Sequence, residues 1–215
     1  MAKTRWELAR AEERAAGQGG YGAHFARLMA EGVDIEGESR LADALAPRGG
    51  WVLDAGSGMG RVGGSLLARG HRVVGVDFDP EVIEQSRSTF PDLPVVASRL
   101  DELTPERLGE AGFPTAYDLV VCVGNVMILL APDTERTVLG VLASLLSPEG
   151  RLMVGFALSD APARASRTYP AAEFVEDCSA VGLEVESRFA SYDLRPFTDD
   201  STYAVHVLHR TRAEG

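Results

Sequence analysis

Five glycines fall within the thirteen residues from Val52 to Gly64 (VLDAGSGMGRVGG), directly after an apolar run. A chain keeps so much backbone freedom only where a tight turn or a close approach requires it. An apolar strand, a glycine-rich turn and a helix commonly form the ligand cradle of a parallel α/β sheet. The stretch therefore predicts such a sheet, with Gly56 and Gly58 close to a ligand and Gly63 and Gly64 allowing the helix to pack tightly.

The rest of the chain alternates in the same way, which predicts an α/β fold with a doubly wound, mostly parallel, seven-stranded sheet. Two later runs, 183–194 and 201–209, alternate in period two around a turn-rich RPFTDDS and predict a C-terminal antiparallel pair at one edge. The other predicted strands are 51–56, 71–77, 93–98, 117–124 and 151–158, and the predicted helices are 4–16, 21–31, 39–46, 61–69, 80–89, 132–146 and 171–181.

Length and charge narrow the class of protein. With 215 residues and 45% hydrophobic composition, we expect one domain over 1–215, made of N-terminal helices (1–48), a core (50–158) and a C-terminal helix with antiparallel strands (170–210). The net charge of −11 disfavours a nucleic-acid partner. No apolar run reaches the roughly 20 residues that span a bilayer, and the N-terminus lacks a signal-peptide centre, so we expect no membrane partner and a cytoplasmic location.

Cysteine and histidine give no sign of a metal site. Cys122 and Cys178 each lie in an apolar pattern without a C-x-x-C, so we expect buried, reduced thiols. His206 and His209 are three apart in a predicted strand and should point to opposite faces. We therefore expect no bound metal.

Two cofactor patterns overlap in the glycine-rich stretch. Gly58 to Gly63 fits G-x-G-x-x-G, which favours a single-domain NAD-dependent reductase, although no Tyr-x-x-x-Lys proton-donor pair accompanies it. Asp54, two residues before the first glycine, would repel a pyrophosphate but attract a cation. Asp77 ends the second strand, where a carboxylate can accept from both ribose hydroxyls in either case. We expect Asp77→Ala to weaken cofactor binding with little loss of stability.

The segments VLDAGSGMGR, VVGVDFDP, YDLVVCVGNVMILL and GRLMVGFAL together resemble the class I, Rossmann-like S-adenosylmethionine-dependent methyltransferases, from Val52 to about Phe156. The resemblance implies S-adenosylmethionine as the cofactor and S-adenosylhomocysteine as its product, with N-terminal helices covering the pocket. It places cofactor contacts at Arg40, Asp54, Gly56, Gly58, Gly60, Asp77, Phe78 and Gly124.

Past the third strand this chain departs from the family pattern, because Ser98-Arg99 stands where a Gly-Asp pair is common. Either Asp101 takes the place of that aspartate, or the backbone of Arg99 and Leu100 recognises adenine alone. His24 and Tyr21 are the candidates for a general base or for residues of the acceptor pocket, and Asn125 is a further candidate at the methyl acceptor.

The resemblance also bears on the acceptor. No Asn/Asp-Pro-Pro-aromatic signature follows the fourth strand, which with the acidic charge leaves a small-molecule acceptor as the expectation, methylated by in-line displacement in a monomer or homodimer. The alternatives to a methyltransferase are the single-domain NAD-dependent reductase and a non-catalytic cofactor-binding protein of the same fold.

Overall fold

The computed structural model describes residues 2–17, 27–28, 31–159 and 163–211. Seven strands form one sheet in the order β3-β2-β1-β4-β5-β7-β6. The strands are β1 (Trp51–Ala55), β2 (Arg72–Asp77), β3 (Val95–Ala97), β4 (Tyr117–Cys122), β5 (Leu146–Ala157), β6 (Leu183–Phe189) and β7 (Tyr203–Arg210). The α-helices that lie wholly within the described residues are α1 (Arg5–Ala15), α2 (Gly37–Leu45), α3 (Arg61–Ala68), α4 (Pro80–Thr89), α5 (Pro105–Glu110), α6 (Glu135–Ser144) and α7 (Ala171–Ala180).

Strand directions confirm the predicted fold class. Strands β1 to β5 are parallel, while β7 runs antiparallel to both β5 and β6. The order of the sheet reverses between β1 and β4, where the chain leaves one half of the sheet and begins the other. Loops at such a reversal diverge at the carboxyl ends of the strands and leave a crevice for a ligand.

Both faces of the sheet are covered, as the near-continuous apolar strands predict. Leu53 and Ala55 of β1 face one core cluster, which includes Leu139 of α6 and Phe174 of α7. Val52 faces the other cluster, to which α2 and α3 contribute apolar residues. Neighbouring residues of one strand thus pack against different helices and fix the sheet between two layers.

The boundary between α6 and β5 differs from the prediction. The apolar stripe of α6 extends to Leu146 in the sequence, but the helix ends at Ser144 and β5 begins at Leu146, which pairs with Tyr117 of β4. The Tyr117 N–H also donates to the Leu145 carbonyl at 2.8 Å. Pairing with β4 thus overrides the helical periodicity, a contact that local pattern does not reveal.

Local signals predict helix starts better. Asp79 caps α4 by accepting from the Glu81 N–H at 2.9 Å, with Pro80 in the first turn, as predicted. Thr4 caps α1 through a capping box with Glu7. The short helix α5 was not predicted, and most of the predicted helix 21–31 lies outside the described residues. In the described part of the chain no helix is long and apolar enough to cross a membrane.

Candidate active site

An open cavity, with about 970 Å³ of empty space including the part open to solvent, lies at the carboxyl ends of β1, β2 and β4. It occupies the crevice that the reversal of strand order leaves open. Eight residues of the predicted site contribute to its lining: Asp54, Gly56, Gly58, Asp77, Phe78, Arg99, Leu100 and Gly124. The first two strand ends and the turn after β4 therefore converge on one site.

The glycine-rich turn after β1 is closed by its own hydrogen bonds. Gly56 has a φ of 80°, and a Cβ at this position would overlap the Val126 side chain, so only glycine fits without strain. The N–H groups of Gly56 and Ser57 both donate to the Val76 carbonyl, at 2.8 and 3.0 Å. The Gly58 N–H donates to the Asp77 carboxylate at 2.8 Å. These three amides are thus already bonded within the chain and are not directed at a phosphate.

Asp54 lies at the start of α3 as well as on the cavity wall. Its Oδ2 accepts from the Gly63 N–H, in the first turn of the helix, at 2.9 Å. A dinucleotide fold offers this helix N-terminus to the pyrophosphate, so here a carboxylate occupies the anion position. Asp54 is buried, with 2% of its surface exposed. The site therefore fits a cationic cofactor and does not fit a pyrophosphate.

Burial also changes the acidity of Asp54. It raises the pKa of the carboxyl group to about 7, although the Gly63 N–H and the nearby Arg61 guanidinium favour the ionised form. A bound cation would favour the ionised form further, so protonation of Asp54 and binding of a cation oppose each other.

Asp77 holds two cavity loops together. Its Oδ2 accepts from Gly58, and its Oδ1 accepts from the N–H groups of Phe78 and Asp79 at 2.7 and 3.0 Å. Burial raises the pKa of Asp77, against the effect of these three donors. We therefore expect Asp77→Ala to cost stability as well as cofactor binding, because the carboxylate links the glycine-rich turn to the end of β2.

Arg99 and Asp101 form a bidentate ion pair on the cavity wall. The Arg99 Nε and Nη2 atoms donate to the two oxygens of Asp101 at 2.9 and 2.7 Å. The same guanidinium lies 5.9 Å from the centre of the Phe78 ring. Arg99, Leu100 and Asp101 all line the cavity, so both alternatives for the recognition of adenine stay predictions.

Comparison with known proteins identifies the family. A model described as a methyltransferase domain matches residues 53–152. The structure of a TehB-like SAM-dependent methyltransferase from Corynebacterium glutamicum is 37% identical, with 89% of this chain and 96% of that chain covered and a TM-score of 0.79. The chain belongs to the S-adenosylmethionine-dependent methyltransferases. S-adenosylmethionine is accordingly the cofactor of this methyltransferase.

Two further matches are more distant. A curated relative, the ubiquinone biosynthesis O-methyltransferase of Xanthomonas axonopodis pv. citri, is 27% identical over 135 residues, which cover 61% of this chain and 52% of that protein. The methyltransferase thus spans about half the length of this relative. The Burkholderia thailandensis 1,6-didemethyltoxoflavin-N1-methyltransferase, solved with its acceptor and S-adenosylhomocysteine bound, is 24% identical, with 88% and 87% of the two chains covered. Its TM-score of 0.60 shows a shared fold.

Three residues predicted for the site of the methyltransferase lie outside the cavity lining. Arg40 is half-exposed on α2, and both its Nη atoms donate to the Asp34 carboxylate, at 2.8 and 2.7 Å. Asn125 accepts from the Ala157 N–H at 2.8 Å and ties the end of β4 to β5. Gly60 has a φ of 83°, and a Cβ there would overlap Ser86 of α4. Each of the three residues thus has a structural reason for its identity, and its role at the site stays a prediction.

Two of the predicted catalytic residues, His24 and Tyr21, lie outside the described residues. They stay predictions. The other glycines of the stretch have the expected packing role, because a Cβ at Gly63 would crowd Leu93 and a Cβ at Gly64 would overlap the Phe90 ring.

The sequence did not single out Thr4, Trp6 and Arg61, which all line the cavity. The Trp6 indole N–H donates to Asp79 Oδ2 at 2.7 Å, which fixes α1 over the cavity. Arg61 pairs with Glu38 at 2.6 Å and donates to the Ile35 carbonyl. Arg61 directly follows the glycine-rich turn, and this position in the sequence could have indicated that it belongs to the site. An N-terminal tryptophan has no comparable sequence signal.

The two cysteines and the two histidines of β7 are not among the residues that line the cavity. Cys122 and Cys178 are buried and free, and burial raises the pKa of both thiols, so both are poor nucleophiles. His206 is fully buried, with its ring 4.6 Å from that of Phe174, whereas His209 is partly exposed. The two histidines do point to opposite faces, as predicted.

Proposed function

We propose that this methyltransferase transfers a methyl group to a small-molecule acceptor by in-line displacement. The observation that carries the proposal is the position of Asp54, a buried carboxylate that caps α3 and lines the cavity. When bound, S-adenosylmethionine supplies an electrophilic methyl group on a sulfonium. A carboxylate beside this cation and the cofactor's ammonium stabilises them, whereas it would repel the pyrophosphate of NAD.

The proposed contacts at the methionine end of the cofactor are Asp54, Gly56, Gly58 and Gly124. Arg61 replaces Arg40 as the proposed partner of the methionine carboxylate, because it lines the cavity and its charge acts on Asp54. Its fork has five N–H donors, so it can keep Glu38 and still bind a carboxylate.

At the nucleoside end, we assign the ribose hydroxyls to Asp77 and the adenine to Phe78, Arg99 and Leu100. The carboxylate of Asp77 retains acceptor capacity beyond its three backbone donors, since an ionised carboxylate has about four lone-pair sites. Leu129 and Leu130 add apolar lining to the cavity, as the burial of a nucleoside requires.

Methyl transfer itself requires few proton transfers by the protein. Alignment of the two reactants in a dry cavity can lower a barrier by about 7–11 kcal/mol in well-oriented systems. A base is needed only where the acceptor must lose a proton, and His24 and Tyr21 stay the candidates for that role.

A small acceptor is supported by charge and by relatives. The net charge of −11 disfavours a nucleic-acid phosphate backbone. The names of two relatives refer to small molecules, one to 1,6-didemethyltoxoflavin and the other to the biosynthesis of ubiquinone.

The test is an acceptor screen that measures S-adenosylhomocysteine formation. Phenols, catechols, amines, thiols and heterocycles are compared with DNA, RNA and a protein mixture, and the product is confirmed by its added methyl mass. We expect turnover with a small molecule, retained in Arg40→Ala and lost in Asp77→Ala. Methylation of nucleic acid or protein alone would contradict the proposal, and cofactor binding without any turnover would favour the non-catalytic alternative.

A further inference from the structure

Glu135 is a buried carboxylate just beyond the cavity wall. It is the first residue of α6, is 5% exposed and does not line the cavity. Its Oε1 atom lies 3.3 Å from Nη1 of Arg5 and 2.9 Å from Nη1 of Arg167. One oxygen therefore joins the start of α1 to the segment 163–170, which follows β5.

The two segments also meet on the same loop. Three consecutive carbonyls after β4 accept their backbone donors: Ile128 from Arg167 at 2.9 Å, Leu129 from Trp6 at 3.0 Å and Leu130 from Arg5 at 3.1 Å. Leu129 and Leu130 line the cavity, as does Trp6. The start of α1, which covers the cofactor site, and the segment after β5 thus bind to consecutive residues of the loop after β4.

We propose that Glu135 is a positioning residue that couples these two segments, so that cofactor binding beneath α1 also orders the segment after β5. A buried carboxylate that loses one of two cationic partners is left poorly compensated, which penalises opening of either segment alone. Arg167 transmits the coupling, because its guanidinium also lies 4.2 Å from the Tyr169 ring centre.

The coupling has a consequence for the order of binding. Segment 163–170 follows the carboxyl end of β5, which lies at the same edge of the parallel sheet as the ends of β1, β2 and β4 that form the cavity. Its ordering by the cofactor would complete that side of the site before the acceptor enters. The inference goes beyond methyl transfer and needs only cofactor binding, so a failure to find an acceptor leaves its test intact.

The test is amide hydrogen exchange of the full chain with and without saturating S-adenosylhomocysteine. In wild type we expect the ligand to slow exchange at least fivefold at the amides of Trp6 and Arg167. In Glu135→Gln the slowing should persist at Trp6 and fall below twofold at Arg167. Each variant is compared with its own ligand-free rates, so a uniform loss of stability cancels.

Glu173→Gln is the matched control, because it removes the other carboxylate partner of Arg167 and leaves Glu135 in place. It should behave as wild type. Arg5→Gln breaks the link from the α1 side and should uncouple Arg167 as Glu135→Gln does, which keeps the test available if Glu135→Gln does not fold. The proposal would be overturned if the ligand slowed exchange at the Arg167 amide equally in wild type and in Glu135→Gln or Arg5→Gln. It would also be overturned if the ligand did not slow exchange at Arg167 in wild type.

Discussion

Asp54 places one carboxyl group where it serves both the fold and the ligand. It satisfies a backbone donor in the first turn of α3, and it faces the cavity in surroundings where burial raises its pKa to about 7. A group that ionises reluctantly lowers the stability of the ligand-free chain near neutral pH. Retaining such a group is understandable if its charge is needed for a cationic cofactor.

We expect Asp54→Asn to stabilise the ligand-free protein. The folded pKa lies above that of an unfolded aspartate, so between about pH 4 and 7 the folded state holds a proton that the unfolded state has lost, and stability falls as pH rises. The amide keeps an acceptor for Gly63 and removes this penalty, for a gain of about 1–3 kcal/mol at pH 8. Denaturant unfolding checks this, and the gain must shrink when the pH is lowered to 5.

Asp77 combines loop geometry with a proposed ribose contact. Asp77→Ala leaves the N–H groups of Gly58, Phe78 and Asp79 without their acceptor, and we expect a loss of about 1–3 kcal/mol in unfolding free energy as well as weaker binding of S-adenosylhomocysteine. Asp77→Asn retains an acceptor oxygen and should lose less stability. Calorimetric titration and denaturant unfolding of both variants separate the effects, and an alanine variant of wild-type stability would show that these hydrogen bonds contribute little.

At the scale of elements, α3 packs closely against α4 and against the loop that follows α4, because two residues of α3 lack side chains. Gly64 faces the ring of Phe90, which ends α4, and Gly63 faces Leu93. Glycine lowers helix propensity by about 1 kcal/mol relative to alanine, so close packing must offset that cost here. The approach brings the first turn of α3 to the cavity.

Gly64→Ala should therefore destabilise the protein by about 1–3 kcal/mol, because the added methyl group overlaps the Phe90 ring and forces a shift. Gly140→Ala is the matched control in the interior of α6, where a Cβ would lie 3.8 Å from Val181. That variant should gain about 0.5–1 kcal/mol from helix propensity. Thermal unfolding of the pair decides the point, and two changes of the same sign would contradict the packing explanation.

Short-range sequence patterns were sufficient to predict most of these helices and strands. Strand-helix alternation predicted the parallel core, and Asp79-Pro80 predicted the start of α4 correctly. The start of β5 at Leu146 could not be predicted in this way, because it depends on pairing with Tyr117, far away in the chain. For the same reason periodicity did not show that Asn125 binds the Ala157 backbone. It also did not show that Arg40 turns to Asp34, because periodicity indicates which face of a helix is apolar and not which partner a polar side chain binds.

At the scale of the whole molecule, the site is assembled from parts distant in sequence. The glycine-rich turn, the end of β2 and the loop after β4 form the cavity, and α1 closes over it through Trp6. Residue types at strand ends could be predicted to converge, since the carboxyl ends of parallel strands share one edge. The resemblance also implied N-terminal helices over the pocket, but the particular contacts of α1, with Asp79 and with the carbonyls of Leu129 and Leu130, could not be predicted because local patterns do not indicate them.

The account depends most on the charge of Asp54, and calorimetric titration of S-adenosylmethionine between pH 6 and 8 tests it most directly. Protonation competes with a bound cation, so we predict that wild type binds about tenfold more weakly at pH 6 than at pH 8. Asp54→Asn should bind more weakly than wild type at pH 8 and show no such change. Equal affinity of the two proteins at pH 8, or the same pH dependence in both, would contradict the account.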